Sequence, residues 1–551
     1  MPVETPKVVA PPPPSDRRPM VGWFDPGPLL STGLNVLIST LFGRHSDYRL
    51  LEALAAGGAD EIHDYTKEGD APREELWLDY IADTGDGWNS TYAVAYWVSR
   101  PTLRVATSYG ASSETRAGGI LLFGGDQVYP AASRRDYHDR LVKPFETARN
   151  YSREPEPHVF AIPGNHDWYD SLVSFSRLFC SGRWFQGWRT RQKRSYFALR
   201  LPQRTWLIGA DVQLGSDIDA LQIQYFKKVA AQMEAGDRII ICTAEPHWVY
   251  ATAYEDLDPE YNENNLRYFE KVLQRNGASI VAYIAGDLHH YRRHANADGA
   301  QKITAGGGGA FLHPTHAPDA SKLGGGFDLR SAYPAESVSR RLAFRNLTFP
   351  FINPKFGLAM GSLYGLLGYF WNQGQGMLLG PLLLMLGFVL FTDTHSVWYK
   401  RLAGTVHGLA HTAACWALLT GIRHLAVALG ITHPLAAEAF SGALMFGSGA
   451  LVGSFLMGLY LLVSLNVFGR HSNEAFSALR IEDYKNFLRL HIAKDGSLTI
   501  FPIGIERVPR RWRQTGSTCP YDPQLEPDDP AATAPHLIEP PVIVKKADAS
   551  Y

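Results

Sequence analysis

Residues 119–130 read GILLFGGDQVYP. A short run of Ile, Leu, Leu and Phe between glycines predicts a strand buried on both faces. The aspartate after it stands just past the strand's carboxyl end, where open α/β sheets carry their functional loops. The same grammar recurs along the chain. HVFAIPG, TWLIGAD, RIIICTAE and SIVAYIAG are each an apolar run that ends in polar residues. From about Glu75 to Ala310 such runs alternate with polar helical stretches, which predicts α/β layering.

The chain has 551 residues, with 53 Lys+Arg against 54 Asp+Glu and a formal charge of −1. No global field attracts nucleic acid, and no nucleic-acid partner is expected. With 45% hydrophobic residues, the chain is not wholly disordered, and its length suits one large domain with a second module. Cys180, Cys242, Cys415 and Cys519 lie far apart without a CxxC pair, so reduced thiols are expected rather than a disulfide scaffold or zinc ribbon.

Five segments place hard and borderline metal ligands just after predicted strands. In order they are ADTGDGWNST with Asp83, GGDQVYP with Asp126 and Tyr129, PGNHDWYD with Asn165, His166 and Asp167, AEPHW with His247, and AGDLHHYRR with Asp287 and His289. No one segment is decisive; their order and combination are. Two cations roughly 3.5–4 Å apart can clamp a phosphoryl group and activate a shared water, and a carboxylate between them is needed to hold like charges that close.

This ordered set resembles the calcineurin-like metallophosphoesterases, and most of all their purple acid phosphatase branch. The resemblance runs from about Asp83 to Gly309 and implies a four-layer α/β/β/α sandwich that hydrolyses a phosphate ester with metal-activated water. It implies two divalent or mixed-valence ions (Mn, Fe or Zn). The first would be held by Asp83, Asp126, His289 and Tyr129, the second by Asp126, Asn165, His247 and Asp287, with Asp126 bridging. Two departures stand out. Gly85 replaces a metal-binding His, a vacancy that Tyr129 can fill, and Asp287 stands where the family has another His, which favours a harder ion. His166 is expected to protonate the leaving alkoxide, with Asp167 orienting its ring. Arg293 and His290 are candidate substrate-binding residues, Arg293 as a bidentate phosphate contact. Four glycines, Gly306 to Gly309, let backbone pass close to the metals or substrate. His313 and His316 are expected to cap loop structure more than to line the pocket mouth.

Charges are scarce from Phe356 to Phe468 and dense elsewhere, an asymmetry hidden by the mean hydropathy of −0.15. This block is read as four membrane spans. The basic loops at 340–355, 400–401 and 470 place the catalytic domain on the cytoplasmic side. Within the third span, His407 and His411 share one helix face, either as a metal or headgroup site or, the favoured reading, as an interhelical hydrogen-bonding pair.

The expected organisation is a disordered Pro-rich tail (1–22), an N-terminal helical segment (23–74) whose apolar run Leu29–Phe42 is either a membrane-contacting helix or an ordinary buried one, the catalytic domain (75–350) and the helical membrane module (356–469). A hairpin about Lys494-Asp495-Gly496 (470–513) then returns to the catalytic domain, followed by a disordered tail (514–551). FGRHS occurs at Phe42–Ser46 and again at Phe468–Ser472, where Arg and His are expected to snorkel to headgroups. Arg507, Arg510, Arg511, Trp512 and Arg513 form a basic cluster suited to anionic headgroups or to a solvated tail. The function expected is a membrane-anchored, dinuclear phosphoesterase acting on a phosphoester substrate, with membrane lipids as partners. The alternatives are a catalytically weak scaffold or phospholigand sensor, and a hydrolase of lipid-linked phosphate or pyrophosphate.

Overall fold

The computed structural model describes residues 11–27, 62–110, 112–148, 156–212, 218–253, 264–392, 396–517, 519 and 522–544. The apolar segment Leu29–Phe42 and the first FGRHS lie outside the described residues.

Every apolar run singled out above is a strand. In one mixed nine-stranded sheet, β1 (Leu76–Ile81), β2 (Ile120–Phe123) and β3 (His158–Ala161) run parallel, with Ile81 level with Phe123 and Phe123 level with Ala161. In a second nine-stranded sheet, β4 (Arg238–Cys242) and β5 (Ser279–Ala285) are parallel neighbours, followed by β6 (Tyr291–Ala295) and β7 (Gln301–Ala305), which pair antiparallel. The hairpin β8 (Lys485–Ile492) and β9 (Leu498–Ile505) joins the first sheet, β8 antiparallel to β1.

Alternation along the strands fixes the layers. Leu78, Tyr80, Leu122, Phe160, Leu488 and Leu490 of the first sheet share a core with Leu207, Ile240, Ile284 and Ile303 of the second. On the outer faces, Ile81, Leu121, Phe123 and Val159 pack on Tyr92, Phe145 and Phe175, while Ile208, Ile239 and Ile241 pack on Phe226, Val229 and Phe269. Helices supply those outer residues, so the order is α/β/β/α. One buried ion pair locks the hairpin: Arg489 donates to Asp79 at 3.1 Å and to the carbonyls of Val98 and Arg100 at 3.0 and 2.8 Å.

Both termini depart from the disorder expected of them. Met20 and Val21 are buried, and Trp88 N donates to Arg18 O at 2.8 Å. At the other end Val542–Val544 pairs with β9 and His536–Leu537 with the same strand, burying Val542, Val544 and Leu537. A Pro- and Asp-rich composition hid two apolar footholds that an open sheet edge could use. The basic cluster is partly neutralised within the fold, Arg510 by Glu482 and Asp483 and Arg513 by Glu526.

The apolar block forms four helices, α1 (Pro354–Asn372), α2 (Leu379–Phe391), α3 (Val397–Ala428) and α4 (Pro434–Phe468). Among the described residues only α4 is long and apolar enough to cross a membrane, so the reading of four spans and a multi-pass chain is not supported. The reason lies in length and charge: α2 has 13 residues, and α3 carries Lys400, Arg401 and Arg423. His411 Nδ1 meets Tyr364 Oη of α1 at 2.8 Å, the interhelical bond favoured above, while the Nε2 atoms of His407 and His411, both on α3, lie 3.1 Å apart. His471 of the second FGRHS is buried, 3.0 Å from Tyr460 Oη, and does not snorkel.

Candidate metal centre

The carboxyl ends of β1, β2 and β5 each pass into an aspartate: Asp83, Asp126 and Asp287. All three hold a left-handed backbone, with φ of 58°, 49° and 65°, a conformation that costs a non-glycine residue about 1–3 kcal/mol and clusters at functional sites. Backbone bonds knit these turns together. Asp83 N donates to Gly125 O and Thr84 N to Asp126 O, each at 3.0 Å. Asp287 N crosses from the other sheet to Asp83 Oδ2 at 2.8 Å.

The Tyr129 hydroxyl lies 3.0 Å from Asp83 Oδ1, 3.2 Å from Asp126 Oδ2 and 2.9 Å from His289 Nε2. His289 Nδ1 is 2.8 Å from the Phe311 carbonyl, which accepts only from an N–H, so Nε2 keeps its lone pair toward the carboxylates. His166 N lies 2.9 Å from Asp126 Oδ1 and 3.0 Å from Asn165 Oδ1, so one N–H gathers both oxygens. Tyr250 donates from its hydroxyl to Asp287 Oδ2.

Glycine lets the chain approach this closely. A Cβ at Gly164 would strike Asp126 Oδ1, and one at Gly306 would lie 2.5 Å from Asp83 Oδ2. The stretch Gly306–Gly309 thus brings backbone against the carboxylates, as its composition suggested.

Several sequence-derived roles change. Asp167 does not touch the His166 ring: its carboxylate accepts from Gly164 N at 2.8 Å, Gln127 N at 3.3 Å and Tyr137 Oη at 2.6 Å, and so holds the loop. The Pro130 carbonyl, 2.7 Å from His166 Nδ1, orients that ring instead. Arg293 is engaged elsewhere, paired with Glu539 at 2.6 Å and Gln301 at 2.9 Å. His290 is fully buried beside Arg292 and His313, away from the carboxylates. His247 opens the helix His247–Ala253, and desolvation by burial lowers its pKa to about 4.

One residue was missed. Glu245 is half-buried, and its pKa is raised well above the usual range by desolvation and then by Asp287 and Asp126. The signal was available in RIIICTAE, where a carboxylate follows a strand, but the neighbouring His drew the assignment. His313 stacks on His289 at 3.9 Å and meets Asn473 Oδ1 at 3.2 Å, and His316 bridges Ser339 and Asn466. Trp23 walls the site, edge-on to Tyr129, His166 and Phe311.

Burial raises the pKa of Asp83, Asp126 and Asp287, and the neighbouring carboxylates raise those of Asp83 and Asp126 further. Among the described residues no Lys or Arg pairs with them or with Glu245. No three His, Cys, Asp or Glu among the described residues close on one point as they stand; the Tyr129 hydroxyl sits between three of them. Two buried and two half-buried carboxyl groups, an amide and an imidazole are a donor set that fits divalent cations. The cations would supply the missing counter-charge.

No protein-family model matches the chain, and no curated protein sequence does. Three solved structures resemble parts of it. GAP50, the anchor in the inner membrane complex of Plasmodium, has 13% identity over 46% of this chain and 78% of its own, with a TM-score of 0.31. The purple acid phosphatase PPD1 from yellow lupin (Lupinus luteus) seeds has 14% identity over 45% of this chain and 47% of its own, with a TM-score of 0.31. PhoD has 10% identity over 43% and 58%, with a TM-score of 0.24. At the level of the superfamily these structural neighbours are metallophosphoesterases.

Proposed function

We propose that this chain is a metal-dependent phosphoesterase with a dinuclear centre, anchored to a membrane by its helical bundle. One observation carries the catalytic reading. Three aspartates, two at neighbouring strand ends of one sheet and one from the other sheet, accept a strained backbone to bring mutually repelling carboxyl groups together. Such an arrangement is unfavourable unless cations bind it.

Asp83, Asp126, Tyr129 and His289 would hold a first ion, and Asp126, Asn165 and Asp287 a second, with Asp126 shared. When bound, such a pair activates water and stabilises charge on a phosphoryl group. The protein's own residues do the rest. His289 is fixed in one tautomer by the Phe311 carbonyl. His166 donates through Nδ1 to Pro130, so it can protonate a leaving oxygen at Nε2 only in its doubly protonated form, which Asp287 and Asp86 favour and burial opposes. Asp167 keeps the loop bearing Asn165 and His166 in place.

Hydrolysis of p-nitrophenyl phosphate by the detergent-purified, Mn-loaded protein tests the reading. Asp126→Asn is expected to abolish turnover, and His166→Ala to lower kcat by roughly 10²–10⁴. Substantial metal-dependent hydrolysis in both variants would sink it.

A second reading, hydrolysis of lipid-linked phosphate or pyrophosphate, draws on one contact. Phe311 and Leu312 of the loop that orients His289 share an apolar cluster with Leu384, Phe388, Leu461 and Leu465 of the bundle. A higher kcat/KM for a phospholipid in mixed micelles than for the soluble ester would favour it, and the reverse would remove it.

A further inference from the structure

Resting on the dinuclear reading above, we propose that Glu245, and not His247, completes the second ion site, which makes that site a cage of oxygen ligands only, selective for a hard cation such as Mn²⁺ or Mg²⁺. The inference starts from register. Cys242 on β4 is level with Ile284 on β5. The ladder continues past the strand ends, with Thr243 N donating to Ile284 O at 3.2 Å and Gly286 N to Ala244 O at 3.0 Å. Continued one residue further, the register sets Glu245 opposite Asp287. A Cβ at Gly125 would meet Ala244 Cβ at 2.6 Å, so the same turn also lies against the Gly125-Asp126 backbone. Glu245 is therefore flanked by both carboxylates assigned to the second ion.

His247 lies two residues beyond, past Pro246 and within the first turn of a helix, where its backbone N donates to Glu245 O at 3.0 Å. Its Nε2 is buried without a hydrogen-bond partner among the described residues.

The chemistry follows from the donors. Asp126, Asp287, Glu245 and the Asn165 amide oxygen offer the second ion three carboxylates and a carbonyl, whereas the first has the His289 imidazole. Oxygen donors suit Mg, Ca and Mn, and imidazole suits Zn and Fe. The two positions should therefore fill with different metals from a mixture, the harder ion beside Glu245.

Metal binding by the chelator-stripped, full-length protein in detergent tests this without reference to turnover. Given one equivalent of Zn²⁺ and then an excess of Mn²⁺, the wild type is expected to hold one of each by elemental analysis. Its Mn²⁺ pulsed-EPR spectrum should lack directly coupled ¹⁴N, since all ligands are oxygen. Glu245→Gln should bind the Mn²⁺ at least about tenfold more weakly, and His247→Ala should bind it as the wild type does. Strong ¹⁴N coupling on Mn²⁺ in the wild type, or loss of the second ion in His247→Ala with retention in Glu245→Gln, would overturn the proposal even if the Glu245 variant folds poorly. One ion per wild-type chain would overturn it while sparing the first site, and no ion at all would overturn the dinuclear reading with it.

Discussion

Asp287 shows how the site trades stability for chemistry. Its half-buried carboxyl feels Asp83, Asp126 and Glu245, so Asp287→Asn should raise the melting temperature in chelator by a few degrees while weakening the stabilisation that added Mn²⁺ gives the wild type. Differential scanning fluorimetry with and without metal reads both effects; equal shifts in the two proteins would contradict the account. His63, buried beside Phe160, has its pKa lowered to about 4 from 6.5 by burial and by Arg191, His158 and Lys193. The unfolded chain then binds the extra proton, so stability is complete above pH 6.5 and falls as pH drops through that window toward 4, by up to about 3 kcal/mol. His63→Gln should flatten the dependence in urea titrations between pH 6.5 and 4. Most of the site was legible at this scale, because a ligand just past a buried strand is a strong local pattern: Asp83, Asp126, Tyr129, Asn165, Asp287 and His289 gather as their segments suggested. Glu245, Asp167 and Arg293 were misjudged because their roles depend on cross-strand register, a loop closure and a partner 246 residues away, none of which leaves a local trace.

Among the elements, the helices of the bundle pack through glycine. A Cβ at Gly404 or Gly408 would lie 2.5 or 2.6 Å from the Cα of Val389 or Met385, and one at Gly361 would lie 2.6 Å from the Phe446 carbonyl. Backbones this close gain van der Waals contact, a packing that would hold the helices together even in lipid, as the proposed anchor requires. Gly408→Leu should therefore part α2 from α3 and lower the bundle's resistance to proteolysis in detergent, with the sandwich left folded. An unchanged digestion pattern would count against this packing. The helices themselves were legible as apolar runs, but their bounds were not, since hydropathy does not show that α2 stops after 13 residues or that α3 extends over Lys400, Arg401 and Arg423.

For the whole molecule, the question is what holds sandwich and bundle together. Residues 20–25 strap the two: Val21 N donates to Asp86 at 2.7 Å, Trp23 walls the metal centre, Phe24 packs on Phe349 and Phe356, and Asp25 pairs with Lys355 and Arg480. The far side of the bundle is apolar and open, with Leu378 80% and Trp398 83% exposed and Leu382, Leu386, Leu402 and Leu409 more than half exposed. A continuous surface of this kind is covered in a stable protein, and lipid is the cover its composition suits. Full-length protein should sediment with membranes after a carbonate wash and require detergent for release; recovery in the soluble fraction would remove the anchor from the account and leave the catalytic reading untouched. The central claim, that separated carboxylates, an amide and an imidazole converge on a cation pair, is tested most directly by anomalous diffraction from crystals soaked in Mn²⁺. Two peaks roughly 3.5–4 Å apart, on either side of the Asp126 carboxylate, are predicted, and a map with no peak among Asp83, Asp126, Asp287 and His289 would contradict it.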